Sequence, residues 1–200
     1  MADAPTDLEL LERWRAGDPR AGSGLVKRHF QALHRFFSSK AQAQVEDLVQ
    51  QTFVACVESR DAFRGESSFR AYLFGLARFQ LLTYYRKKHR TQGLDFTNTS
   101  VRDLGISPTG LLAQQEDQRL LALALRQVPV DQQIALELTY WEGLSAPEIA
   151  RVLSIPENTV YSRLRRAKEH LKTALEGLTT HADERQRALH KLDPSEDLPS

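Results

Sequence analysis

Two hundred residues, 41% hydrophobic and 26% charged, fit one large or two small globular domains with packed cores. The single cysteine, Cys56, excludes an internal disulfide and a Cys/His zinc cluster of the usual spacing. The longest uncharged apolar run, Leu120 to Leu125, falls far short of the roughly 20 residues a membrane helix needs, and the opening MADAPTDLELLERW carries acids where a signal peptide carries lysines. No membrane insertion and a cytoplasmic location are therefore expected. The net charge of +1 hides strong segregation: residues 59–90 hold 8 basic and 2 acidic side chains, 91–150 hold 3 and 8, and 151–175 hold 6 and 2. Two basic patches, each suited to a polyanion, are separated by acidic surface.

The apolar spacing predicts helices nearly throughout and no alternating strand pattern. A first helix, capped by Asp7, runs to about Arg15 and stops at Gly17. Pro19 opens a second that reaches Ser38, with Gly22 and Gly24 weakening its first turns. A third covers about Gln44 to Ser59, with Val45, Leu48, Val49, Thr52, Phe53, Cys56 and Val57 on its apolar stripe. Opposite lie Glu46, Asp47, Gln50 and Gln51, an acidic, glutamine-rich face that suits a basic helix on a protein partner.

RDAFRGESS is a loop, and Ser67 or Ser68 caps a long fourth helix ending in YYRKKHR. Aromatic and basic residues interleave here, the pattern of a surface for single-stranded or opened nucleic acid, where cations follow the backbone and rings hold unstacked bases. Phe69, Leu73, Leu76, Phe79 and Leu82 read as a core stripe. Phe63, Arg64 and Ser67 are the candidates for base contact, with Arg70, Tyr72, Arg78, Arg86, Lys87 and Lys88 completing the surface.

Residues 91–113 lose apolar spacing and collect Gly, Thr, Ser, Asn and Pro, the signature of a flexible linker. A second helical block over 114–176 is broken at Val128-Pro129, at Gly143 and at LSIPE, giving four short helices. Within it, LSAPEIARVLSIPENTVYSRLRRAKEHL has the logic of a helix-turn-helix. Ser145 caps the first helix, Ile149 and Val152 face inward, and Ala150 admits the second helix closely. That second helix buries Val160, Leu164 and Leu171. Its polar face carries Asn158, Thr159, Ser162, Arg163 and Arg166, which suits the major groove of a duplex. Residues 177–200 read as a mobile tail.

At EDLVQQTF, FRGESSFRAYLFGLAR and EGLSAPEIARVLSIPENTVYSRLRRAKEHL the chain resembles bacterial RNA polymerase sigma factors of the extracytoplasmic-function (ECF) type, over roughly Asp7 to Leu175. The resemblance implies an all-α protein of two small helical domains: a region 2-like domain over 6–90, the flexible linker, and a region 4-like helix-turn-helix domain over 114–176. It implies a non-enzymatic factor with no cofactor or metal that binds core RNA polymerase and promoter DNA. Glu46, Asp47, Gln50 and Gln51 would dock on polymerase. Phe63, Arg64, Ser67, Arg70, Tyr72, Arg78, Arg86, Lys87 and Lys88 would recognise and open the minus-ten element. Asn158, Thr159, Ser162, Arg163 and Arg166 would read the minus-thirty-five element as duplex, and an anti-sigma protein or other regulator is an expected partner.

Several positions depart from the family pattern. Gln44 and Gln51 stand where acids are usual, Tyr72 for a tryptophan, Gly75 for a basic residue, Ser154 for the turn glycine and Tyr161 for a lysine. Phosphorylation near Thr52 would restore charge to the docking face. The alternative reading is a stand-alone helix-turn-helix regulator that never touches polymerase, which leaves the 59–90 patch and the acidic face without a role.

Overall fold

The structure, a computed structural model, describes residues 4–89, 94–106 and 116–193. Parts of the expected linker (91–93 and 107–113), the start of the second block at 114–115 and the end of the tail at 194–200 lie outside the described residues. Those described are helical apart from loops and one isolated antiparallel bridge, Ser100 to Pro129.

Helix α1 (Asp7–Arg15) starts on a reciprocal cap, with Thr6 accepting from the Glu9 amide and Glu9 accepting from the Thr6 amide at 2.7 Å. Two orphan donors are satisfied at once, which is why Thr6 and not Asp7 is the cap. Asp7 instead reaches helix α2 (Pro19–Ser38), 2.6 Å from the Arg28 guanidinium and 2.8 Å from the buried ring of His29. Gly22 has a packing reason as well: a Cβ there would fall 2.5 Å from Trp14 Nε1, so glycine lets the indole lie against α2.

Helix α3 (Val45–Ser59) buries Val45, Leu48, Val49, Thr52 and Cys56, while Val57, expected inside, is exposed. Helix α4 (Phe69–His89) begins at Ser68, whose hydroxyl accepts from the Ala71 amide at 3.1 Å. Its buried stripe is Phe69, Leu73, Ala77, Leu81 and Tyr85. A step of four advances about 40° round the helix, so the buried face turns as α4 passes between α2 and α3 on one side and the second block on the other. Phe79, expected in the core, lies off that stripe and is 62% exposed.

Part of the supposed flexible linker is anchored. Phe96, Val101, Leu104 and Ile106 are buried, and the Phe96 ring lies 5.9 Å from that of Tyr85. The carbonyls of Phe96 and Thr99 accept from the amides of Asp131 and Val130 at 3.1 and 2.9 Å. Four apolar side chains among polar neighbours, without a helical period, are enough to hold residues 94–106 down.

The second block forms helices α5 (Glu116–Leu125), α6 (Val130–Tyr140), α7 (Ala146–Leu153) and α8 (Glu157–Leu178), broken where the sequence indicated. Helix α6 is buried along its whole length from Val130 to Leu138. Val130, Ile134, Ala135 and Leu138 belong to one continuous apolar core with α1 to α4, and Leu136 to a second core with α5 and α8. The two blocks are therefore packed against each other, with α7 lying on α4 and its Ile149, Val152 and Leu153 in the same core as the α6 side chains. The tail also departs from expectation. Helix α9 (Ala182–Leu192) folds back on α5, burying Ala188 and Leu192, and Arg187 pairs with Asp117 at 3.2 Å. Ala188, Leu189 and Leu192, at helical spacing, supply a stripe strong enough to hold the helix that the expectation of a mobile tail left out.

Ser154, in the turn between α7 and α8, has φ 55, the left-handed conformation in which glycine suffers no Cβ clash. Ser154→Gly should stabilise the protein by about 1 kcal/mol, read as a raised urea midpoint with unchanged slope. Burial pushes the Asp7 carboxyl up, but hydrogen bonds from His29 and Arg28 outweigh it and hold the group below its ordinary 3.8. A depressed carboxylate contributes stability above its ordinary value and loses it as pH falls through the folded one. Asp7→Asn should thus destabilise the fold at pH 7, and the gap to the parent should close in urea titrations at pH well below 3.8.

Candidate nucleic-acid interface

The 60–68 loop is held from α1. The Arg15 guanidinium donates to the carbonyls of Arg60 and Phe63, and Arg60 lies over the Trp14 ring at 5.1 Å. Phe63 is buried, its ring 4.7 Å from Tyr72 and 6.4 Å from Phe69. The sequence had Phe63 contacting a base directly, but its ring packs edge-on to Phe69 and tilted against Tyr72, and Phe63 forms the floor beneath the loop. Arg64 is exposed and Ser67 half-buried. With Phe63, Glu66 and Arg151 of α7 they line an open depression of about 370 Å³. Arg151 was missed in the sequence because nothing there signals that α7 meets this loop.

The remaining cations divide sharply. Arg86, Lys87 and Lys88 are exposed at the end of α4, with Arg86 over the Phe96 ring at 5.6 Å and Lys88 over Tyr84 at 5.8 Å. Arg70 and Arg78 instead face the second block. Arg70 donates to the Glu142 carbonyl at 2.9 Å, and Arg78 donates to Asp131 Oδ1 from Nε at 3.1 Å and from Nη2 at 2.9 Å.

On the helix-turn-helix, Ser145 and Glu148 form a reciprocal cap, and Ile149, Val152 and Val160 are buried as the spacing required. The outer face of α8 presents Asn158, Tyr161, Arg165 and Arg166 to solvent, with Thr159 and Ser162 half-buried beside them. Arg163 does not join that surface. It is 11% exposed, and its Nη1 lies 3.2 Å from Asp131 Oδ2 without completing a hydrogen bond to any partner. One carboxylate therefore sits between two arginines, Arg78 and Arg163, that the sequence assigned to different DNA elements. Asp131 itself escaped notice there as a single acid in a helical pattern.

The α3 face is open as expected: Glu46, Asp47, Gln50 and Gln51 are all exposed. Asp47, Gln50 and Gln51 line a shallow groove of about 410 Å³ with Val54, Ala55, Glu58 and Gln80. Thr52, by contrast, is completely buried and donates to the Leu48 carbonyl at 2.7 Å, so a kinase cannot reach its hydroxyl in the folded protein. Burial pushes the Cys56 thiol up to about 11, which leaves it unreactive. Among the described residues, no group of three or more His, Cys, Asp or Glu side chains is placed to hold a metal ion, and no helix is long and apolar enough to cross a membrane.

A helix-turn-helix with a polar, arginine-bearing outer face, joined to a second helical domain with its own basic end, defines a DNA-binding transcription protein. Comparison with known proteins narrows this. The family model for sigma-70 region 2 matches residues 25–91 and that for sigma-70 region 4 matches residues 118–171. The chain is 30% identical to the ECF RNA polymerase sigma-E factor of Haemophilus influenzae, over 89% of this chain and 100% of that one. It is 28% identical to its counterpart in Escherichia coli K12, over 89% and 98%. Among solved structures, CnrH in complex with the cytosolic domain of CnrY aligns with a TM-score of 0.56 at 26% identity, covering 85% of this chain and 97% of that one. The sigma factor RpoE of Bartonella quintana, in complex with the anti-sigma factor NepR, shares the fold with a TM-score of 0.58 at 24% identity, covering 77% and 96%. The chain belongs to the ECF group of RNA polymerase sigma factors, and its function is transcription initiation.

With Phe63 built into the ring stack, Phe63→Ala should cost about 3 kcal/mol of stability, measurable by urea denaturation of the isolated protein. A loss under 0.5 kcal/mol, within the scatter of surface substitutions of roughly that size, would return Phe63 to the exposed surface.

Proposed function

We propose that this sigma factor docks on core RNA polymerase through the outer face of α3 and reads two promoter elements with its two basic surfaces. Asp47, Gln50 and Gln51, with Glu46 beside them, form the docking face. The groove lined by Asp47, Gln50 and Gln51 is open to a partner, and its remaining carboxylates would attract basic side chains.

In this reading the minus-ten element meets Arg64 and Ser67 over the Phe63–Tyr72 floor. Arg86, Lys87 and Lys88 hold the phosphates of the opened strand, where cations and unpaired bases combine most favourably. The minus-thirty-five element meets Asn158, Thr159, Ser162 and Arg166 as duplex, with Arg163 joining when freed from Asp131, while Arg78, held by the same carboxylate, belongs to the minus-ten surface. Tyr161, exposed on the same face, replaces a cation with a ring and should lower the salt dependence of that contact. The protein would work in the cytoplasm, with an anti-sigma protein as its regulator.

The observation that carries this proposal is the exposure of three separate polar surfaces on one chain: the α3 face, the end of α4 and the outer face of α8. A stand-alone regulator uses only the last. Transcription of a genomic library by core polymerase supplemented with the purified protein should give discrete starts that share two upstream elements. Asp47→Lys should abolish co-purification with core polymerase while leaving the helical circular dichroism intact; retained co-purification would remove α3 from the docking role. Arg166→Ala should weaken upstream-element binding by about tenfold and flatten the base preference at one position, since a bidentate contact is worth about 1–3 kcal/mol.

A further inference from the structure

Between the end of α2 and the helices α5 and α9 lies a cleft of about 320 Å³. Its apolar wall is Leu121, Ala122 and Leu125 of α5, together with Trp141, the residue that follows α6. Leu121 and Leu125 are buried, and Ala122 and Trp141 are half-buried. Two cations from separate helices also line it, Arg35 of α2 and Lys191 of α9, and no carboxylate does. Arg35 donates from Nη2 to Glu142 at 2.5 Å, with its side chain 48% exposed. A guanidinium carries five donors, so that one bond leaves others for a second acceptor. None of these residues belongs to the polymerase-docking or promoter surfaces.

Sites for small molecules share this make-up: a concave and mostly apolar wall, a few polar groups that fix orientation, and a position where domains meet. We propose that the cleft binds a small amphipathic anion. Its apolar chain would lie along Leu121, Leu125 and Trp141, and its carboxylate would be held by Arg35 and Lys191. Charge selects the head group. A cationic amphiphile would meet like charge, and a neutral alcohol would forgo the charge-assisted hydrogen bonds. Size selects the tail. At about 30 Å³ for each water-sized group, the cleft holds about ten such groups, which matches the carbons and oxygens of octanoate. A much longer acid would leave its end in water.

Isothermal titration calorimetry of the full chain with octanoate tests this. Octanoate should bind one to one with a Kd on the order of 100 μM, and at about 10 mM it should raise the thermal unfolding midpoint. Octan-1-ol should bind about tenfold more weakly, and octyltrimethylammonium should give no saturable heat. Lys191→Glu changes an exposed residue and should weaken octanoate about tenfold while leaving octan-1-ol within about twofold of the parent. Ala122→Phe should fill the cleft and abolish binding of both, with the helical circular dichroism intact. Equal affinity for the acid and the alcohol, or no saturable octanoate binding to the parent, overturns the proposal. So does octanoate binding that survives Ala122→Phe in a natively helical protein, since the acid then lies elsewhere. A concentration-dependent dimer in sedimentation velocity that Ala122→Phe abolishes would give the cleft to a second copy of the chain and overturn the proposal as well.

Discussion

A lysine ammonium with no exposed surface joins the two halves of this molecule. Lys40 Nζ donates to the Phe36 carbonyl and the Ser39 hydroxyl, each at 2.9 Å, and to Glu137, and it lies 4.0 Å from the centre of the Phe36 ring. Burial pulls the lysine below its ordinary value, and the Glu137 charge opposes that shift. Glu137 in turn accepts from Ser39 and Gln133 at 2.9 Å each. The Lys40 carbonyl accepts from the Tyr85 hydroxyl at 3.0 Å, which ties the end of α4 into the same knot. Every charged atom of the pair has partners, which makes a buried ion pair tolerable; removing one member would cost about 3–5 kcal/mol through the charge left behind. A pair of this kind adds little net stability over an apolar contact. What it does is specify: only one register of α6 against α2 and α4 brings Glu137 to Lys40 and Asp131 to Arg78.

That specification explains the charge pattern along the chain. Acids at 131, 137, 142 and 148 looked like a solvent-facing excess between two basic patches. Three of the four instead compensate cations of the other half, and Glu148 both accepts from Ser68 and closes the cap on Ser145 at 2.6 Å. A sequence reports that charges of opposite sign are segregated. It cannot report that the segregated blocks meet, because the pairings span from 53 to 107 residues and carry no local period.

The same division between local and long-range order governs what could be read in advance. Most helix ends set by a cap, a proline or a left-handed turn were legible, since Pro19, Ser68, Ser145 and Ser154 all act through neighbours within four residues; the α1 cap fell on Thr6, one residue before the expected Asp7. The outer face of α8 was legible too, since amphipathic spacing alone decides which of its side chains face away from Val160 and Leu171. Phe63, Phe79 and Arg163 were misplaced because their environments come from elsewhere. Phe63 meets Tyr72 on the next helix, Phe79 is left outside by a stripe that turns with α4's changing neighbours, and Arg163 is claimed by α6. Residues 94–106 were read as a linker for want of apolar spacing and 182–192 as part of a mobile tail, yet a few apolar groups hold each against a surface that the sequence does not display.

The seam between the two blocks is mixed in character. Its apolar part, Val130, Ile134, Ala135 and Leu138 against the first block, is buried deeply enough to hold. Its polar part is not uniformly satisfied: the donor Arg163 Nη1 and the acceptor Gln133 Oε1 are buried with no hydrogen-bond partner, each a penalty of about 1–3 kcal/mol. The rim pair, Arg35 with Glu142, is half in solvent on the arginine side and adds only modestly. The unsatisfied acceptor lies on Gln133, whose amide donates to Glu137 at the centre, and the unsatisfied donor lies on Arg163. One carboxylate shared by two guanidinium groups leaves a donor over, which is why the seam is incompletely satisfied where Asp131 meets Arg78 and Arg163.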